Sequence, residues 1–335
     1  MLRFHIDYFK GEGNAQPKPG DTISQRAVVE AILAKHDAAT NARRFNAVLA
    51  TATINHAIEY HRLFTEIQKK RLAQDETFQP ISTNHSINEF DLYYQDVQQR
   101  IKDHKYSNAD YPRQNKIDVM IVVDMLLTGF DSKYINTLYV DKNLKHHGLI
   151  QAFSRTNRIL NDTKPYGNVL DFRQQQEAVN EAIALFSGSD INRAKEIWLV
   201  DAAPIVIRKL CTAVTDLQNF MQSQGLPCTP QEASNLKGDD ARGQFINLFK
   251  EVQRLKTQLD QYTDLSEDQS ASINKVLPED TLRAFKGLYL ETAQRLKEKQ
   301  DKNRAEDNDK IQELDFEFVL FASSVIDYDY RHRFE

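Results

Sequence analysis

Residues 117–123 read IDVMIVV, and this run decides the fold class. It is apolar almost without alternation, rich in β-branched residues and short. A strand with one wet face would alternate polar and apolar. An unbroken run instead predicts a central strand of a parallel sheet, covered by helices on both faces. Thr128-Gly129, a turn signal a few residues on, argues against a buried helix here.

Working outward, the same half of the chain holds further strand-like runs at 2–9, 45–51, 78–83, 137–141 and 168–172. Between them lie helical patterns. Ser24 can cap a helix whose Val28, Val29, Ile32 and Leu33 share a face. Residues 55–73 are amphipathic, and 88–105 repeat apolar residues every three or four positions. Strands alternating with helices predict crossover units and a doubly wound α/β sheet. Gly11, Gly13, Pro17, Pro19 and Gly20 make 11–20 a loop.

After Arg173 the strand signals nearly vanish. Helices are expected over 174–186, 191–199, 204–224, 231–262 and 279–312, with breaks near Gly188, 225–230 and 264–272. The expected organisation is therefore α/β plus all-α: a sheet domain over 1–173, with 1–23 as its lead-in, and a helical domain over 174–335. Trp198 and the aromatic residues Phe316, Phe318 and Phe321 read as packing groups.

Composition bounds the function. With 41% hydrophobic and 27% charged residues in 335, the chain is neither fibrous nor wholly disordered. No run approaches the ~18–20 apolar residues that span a bilayer, so a cytoplasmic protein without a membrane partner is expected. Two cysteines, Cys211 and Cys228, make neither a disulfide framework nor a four-ligand zinc site. The net charge of −5 conceals an asymmetry. Residues 1–173 carry 23 Lys and Arg against 20 Asp and Glu, and the remainder carries 20 against 28.

Several sites are missing from the sequence: a GxxxxGK[ST] phosphate loop, HExxH, zinc-spaced cysteines and a GxSxG elbow. No metal ligands are assigned. The chemistry concentrates in VVDMLLTGFD at 122–131, LYVDKN at 138–143 and LIQAFSRTNRI at 149–159. Gln151, Arg155 and Arg158 fall at i, i+4 and i+7, which predicts one face of one helix. Paired guanidiniums match phosphate oxygens in a bidentate fork; a solvated arginine face would share the spacing. Asp131 is expected at the carboxyl edge of the sheet, where open α/β sheets bind ligands, or as the cap of a strand-end turn.

Together, TGFD after a strand, then YVD, then QxxxRxxR resemble motifs V and VI of superfamily 2 helicases. The wording LLTGFDSKYINTLYVDKNLKHHGLIQAFSRTNRI at 126–159 is similar to the R (motor and restriction) subunit of type I restriction enzymes. FNAVLATAT at 45–53, DLYYQDVQQRIK at 91–102 and 167–172 extend the likeness. Ser154 stands where many of the wider superfamily have Gly, which is the type I wording. The segment 83–88 is short against the family.

The resemblance implies a RecA-like second motor domain followed by a helical domain. Arg158, as an arginine finger, and Arg155 would act on the γ-phosphate of ATP, whose Mg²⁺ would be held mainly by another domain. Gln151 would orient that site, Asp131 would bond the ribose, and Gly129 with Thr128 would couple nucleotide state to DNA. Thr128, Thr51 and Thr53 would touch the DNA backbone. Implied partners are double-stranded DNA and the methyltransferase and specificity subunits. The chain is expected to be part of a longer subunit and inactive alone. Two other readings stand beside this one: the second motor domain of another superfamily 2 helicase or translocase, and a non-catalytic helical interaction module.

Overall fold

The computed structural model describes residues 3–10, 23–83, 95–97, 99–101, 116–124, 127, 132–158, 164–187, 195 and 198–302, with backbone only from 294 onward. Five strands, β1 (Phe4–Tyr8), β2 (Asn46–Thr51), β3 (Val119–Val122), β4 (Ile135–Asp141) and β5 (Gly167–Asp171), form one sheet in the order β1-β5-β4-β2-β3. Every pairing is parallel. Phe4 faces Gly167, Leu138 faces Val169, Val48 faces Leu138 and Ala47 faces Val119.

Helices cover both faces, which explains why the strands lack polar alternation. On one face α1 (Gln25–Ala39) and α2 (Ile54–Gln74) bring Val28, Ile32, Tyr60, Phe64 and Ile67 against Leu49, Tyr139 and Leu170. On the other, α3 (His146–Ser154) and α4 (Gln176–Ser187) bring Leu149, Phe153, Val179 and Ile183 against Val48, Leu138, Val140 and Val169. Ser24 caps α1 as expected, its hydroxyl accepting from Ala27 N at 3.2 Å. Val97 and Ile101, from the expected helix over 88–105, are buried against the sheet.

The deciding run needs a correction. IDVMIVV does form a buried parallel strand, but among the described residues β3 ends the strand order instead of occupying its centre. The fully buried β4, INTLYVD, is the middle strand. An edge position is compatible with an apolar run because the core clusters on both faces reach it: Val119 joins one, Met120 and Val122 the other.

The run at 78–83 is not a strand. Its backbone groups are met by side chains and by the start of β3: Gln68 Nε2 donates to Ile81 O at 3.1 Å, Ser82 N donates to Asp118 Oδ2 at 2.8 Å, and Asp118 N donates to Ser82 O at 3.0 Å. The expected features at 11–20, at 84–88 and at 314–321 lie outside the described residues.

The domain break also moves. The α/β unit runs on to Asp201 and takes back Asp260–Asp264, while the helical unit starts at Ala202. The reason is apolar. Helix α4 is built into the sheet core, Trp198 stacks on Phe4 with ring centroids 6.2 Å apart, and Leu199 bridges to Phe4. The returning segment is tied in by Thr263 Oγ1 on Asp7 at 2.6 Å and by Tyr262 packed 4.3 Å from the His5 ring.

The helical unit contains α5 (Ala203–Ser223), α6 (Pro230–Ala233), α7 (Asp239–Asp260), α8 (Glu267–Val276) and α9 (Glu279–Lys302). The single helix expected over 231–262 is two, because Gly238 turns the chain at φ +87°. The expected break over 264–272 instead starts α8, on a capping box in which Ser266 and Gln269 satisfy each other's backbone N–H.

Candidate functional site

A parallel sheet has two chemically distinct edges, and the sequence-predicted residues divide between them. At the carboxyl edge β2 ends in Thr51 and α2 begins immediately after, capped by Thr53. Thr51 is fully buried, its hydroxyl 3.3 Å from both Thr53 O and Val122 O. It is committed to the strand end and offers nothing to a ligand. Thr53 is exposed. Its oxygen accepts from His56 N at 3.2 Å, which leaves its O–H free to donate at the N-terminus of a 21-residue helix, a place that favours phosphate oxygens.

Beside it lies a buried polar network that the sequence reading missed. Asp141, the last residue of β4, accepts from the Tyr60 hydroxyl and pairs with Arg173 Nε at 2.8 Å. Asp171, the last residue of β5, accepts from Arg173 N at 2.8 Å and from Gln175 N at 2.6 Å. Burial raises the pKa of both carboxyls, and their hydrogen bonds and Arg173 oppose it. The Tyr60 phenol is pushed well above its ordinary range by burial and then by Asp141. The available signal was that both apolar strands end in Asp, with Arg173 two residues past the second.

The arginines sit at the opposite, amino edge. Helix α3 runs back from the end of β4 and stops at Ser154. The single helical face expected for Gln151, Arg155 and Arg158 is therefore not formed. Gln151 is on the helix, Arg155 is its C-cap, and Arg158 lies beyond it in non-helical chain. Three N–H groups wind the segment into a tight turn: Arg155 N to Ala152 O at 3.2 Å, Thr156 N to Phe153 O at 3.0 Å and Asn157 N to Ser154 O at 3.4 Å.

The turn exposes its two ends and buries its middle. Arg155 is half-buried and Arg158 exposed, while Thr156 and Asn157 between them are buried. Thr156 rests on the first residue of β5. A Cβ on Gly167 would come within 2.0 Å of Thr156 Oγ1 and 2.7 Å of its Cβ, so only glycine lets the turn seat there. Gly167 and Asn157 are further residues of this edge that spacing alone did not single out.

The structure thus gathers Gln151, Arg155 and Arg158 on one short segment and places Thr51 and Thr53 a strand length away, roughly 20 Å for six or seven residues. Thr128, Gly129 and Asp131 lie outside the described residues. Two guanidiniums on a turn braced by the sheet suit the oxygens of a phosphate. No helix among the described residues is long and apolar enough to cross a membrane.

Two family models match: type I restriction enzyme subunit R domain 3, over residues 74–174, and the C-terminal domain of the type I restriction and modification enzyme subunit R, over 198–330. The first covers the arginine turn and the second the helical unit. A type I restriction enzyme endonuclease subunit of Staphylococcus aureus strain COL is 24% identical over 98% of this chain and 38% of its own length. One from Staphylococcus saprophyticus is 30% identical over 64% of this chain and 22% of its own length. One from Staphylococcus aureus strain MRSA252 is 31% identical over 56% and 24%. The chain thus spans well under half the length of these relatives.

Among solved structures, the Mycobacterium smegmatis helicase Lhr bound to ssDNA and AMP-PNP aligns with 87% of this chain and 34% of its own, at 12% identity and a TM-score of 0.36. The fold assignment rests on the sheet itself and not on that likeness. With a parallel sheet carrying the arginine turn, a helical unit after it, and both matched segment by segment, the chain belongs to the type I restriction enzyme R-subunit family.

Proposed function

We propose that this chain supplies the second RecA-like motor domain and the helical domain of an ATP-dependent double-stranded DNA translocase and endonuclease subunit. The observation that carries the reading is the arginine turn, with Arg158 exposed on a backbone seated against β5. A guanidinium held by a rigid element meets developing charge on a transferring phosphoryl group without reorganising first. ATP and its Mg²⁺ are assigned chiefly to a separate phosphate-loop domain, because the donors at this edge are cationic and suit phosphate oxygens, not a metal ion. Gln151 orients the same site, and Asp131 and Gly129 complete the nucleotide contacts.

DNA is assigned to the carboxyl edge. Thr53, at the start of α2, donates to a backbone phosphate; Thr128 joins it, and Thr51 braces the strand end beneath. Such contacts read no bases, as a sliding motor requires. The methyltransferase and specificity subunits complete the complex.

The test is ATP hydrolysis by the complete restriction complex on DNA. Arg158→Ala is expected to lower kcat by roughly 10³-fold or more while the KM for ATP changes little, because the interaction strengthens in the transition state. An unchanged kcat sinks the assignment. The 335-residue chain alone should show negligible turnover; substantial arginine-dependent turnover by it would mean that the nucleotide site is not shared with another domain.

A further inference from the structure

Asn157 sits between Arg155 and Arg158, 2% exposed, and neither Nδ2 nor Oδ1 has a hydrogen-bond partner. Buried side-chain amides are nearly always bonded, because an unmet donor and acceptor lose their hydration without replacement. An apolar residue of similar size would fill the place at less cost. Thr156 and the backbone beside it are held firmly. Thr156 Oγ1 donates to Phe153 O at 2.8 Å, the backbone of the turn is hydrogen-bonded, and Gly167 leaves no clearance beneath it. The foot of the turn is fixed, and the Asn157 amide within it is unused.

We infer that Asn157 is a positioning residue of the arginine turn, whose Oδ1 accepts a guanidinium N–H once that guanidinium engages the phosphate of ATP. The inference rests on the nucleotide role proposed for the arginines. A guanidinium has five N–H donors in one plane, and a phosphate edge takes two of them. The rear edge then needs an acceptor that fixes the plane without adding charge, and a carboxamide oxygen supplies that. Arg155, half-buried at the C-cap of α3, is the guanidinium concerned. The amide is thereby idle in the free domain and bonded in the engaged one, so its contribution falls on the engaged state and not on the fold.

The test compares Asn157→Ala, Asn157→Leu and Arg158→Ala in the complete complex, reading kcat and KM for ATP together with the thermal midpoint of the subunit. Both Asn157 variants should leave the midpoint unchanged or raised, and should lower kcat roughly ten- to hundredfold with KM nearly constant, the loss expected of a misaimed group. If Arg158→Ala abolishes turnover while both Asn157 variants keep wild-type kcat, the inference fails and the arginine assignment stands. If both variants lower the midpoint along with kcat, the amide is already part of the fold and the inference is overturned. If Arg158→Ala itself leaves kcat unchanged, the nucleotide reading of this edge falls, and the inference falls with it.

Discussion

In the α/β unit, Asn136, Thr137 and Asn168 are buried around a single carbonyl, Ala39 O, and donate to it from 2.7, 3.0 and 2.8 Å. In the helical unit the corresponding centre is aromatic. Phe249 lies 5.9 Å from Phe245, 5.6 Å from Phe285 and 5.5 Å from Tyr289, ring centroid to centroid. The first unit carries polar groups inside at both sheet edges: the amide cluster and arginine turn at one, Tyr60, Asp141, Asp171 and Arg173 at the other. The second buries apolar surface and closes its helices locally, with the Ser266–Gln269 capping box before α8 and Gly225 past the end of α5. Among the described residues the helical unit buries only Gln253 and Thr292 as polar side chains, so the two cores differ in how much polarity they enclose, not in having it or lacking it.

The largest expected effect on this contrast comes from the aromatic centre. Phe249→Ala should destabilise the helical unit by about 3–5 kcal/mol, the usual cost of deleting a buried ring. In differential scanning calorimetry its transition should fall by many degrees while that of the α/β unit holds. A single transition that shifts as a whole would show that the two units unfold together, and would erase the distinction as a thermodynamic one.

Acid should act on the α/β unit instead. His36 is buried, with Nδ1 2.9 Å from the Tyr139 hydroxyl and Nε2 unpartnered. Burial lowers its pKa to about 4, with Arg43 adding to the shift and Asp118 and Asp37 opposing it. The unfolded chain takes up this proton near pH 6.5 and the folded one only near 4. The stability that the neutral ring contributes is therefore present above pH 6.5 and is lost as pH falls towards 4, up to about 3 kcal/mol. Asp141 and Asp171 work against this, because their raised pKa values favour the folded state as they protonate. His36→Gln should flatten the pH dependence between 6.5 and 4. Denaturant midpoints that fall equally for both proteins over that window would remove His36 as the source.

How far the sequence revealed these differences depends on how local their causes are. Strands β2, β4 and β5 were legible because double-sided burial shows directly as apolar runs, and α1 because Ser24 caps it. The edge place of β3 was not legible: strand order is set by crossovers, and a run covered on both faces reads the same at the edge as at the centre. The end of α3 at Ser154 was also hidden. SRTNR carries no glycine or proline at the break, and the stop comes from the seating of Thr156 on Gly167, eleven residues away. The same long-range contact hid Asn157. By contrast, Ser266-Glu267-Asp268-Gln269 is a local start signal that outweighs the polar look of 264–272.

The smallest expected effects come from alanine at three glycines, and their signs should separate the units. Gly243 in α7 and Gly287 in α9 have nothing within 4 Å of an added Cβ. Each sits inside a helix, where glycine costs backbone entropy, so alanine should stabilise by about 0.5–1 kcal/mol apiece. Gly167 has neither a positive φ nor open space. Its added Cβ meets the side chain of Thr156 at 2.0 and 2.7 Å and the Thr156 backbone carbon at 3.0 Å. Relief by a rotamer change alone is blocked, because the Thr156 backbone is itself in the way and is hydrogen-bonded to Phe153. Gly167→Ala should therefore destabilise by about 1–3 kcal/mol, in the range of core overpacking, and should shift the arginine turn as it does so. Urea midpoints settle the signs. A neutral Gly167→Ala would mean that the turn yields easily, and a turn that yields easily could not aim Arg155 and Arg158.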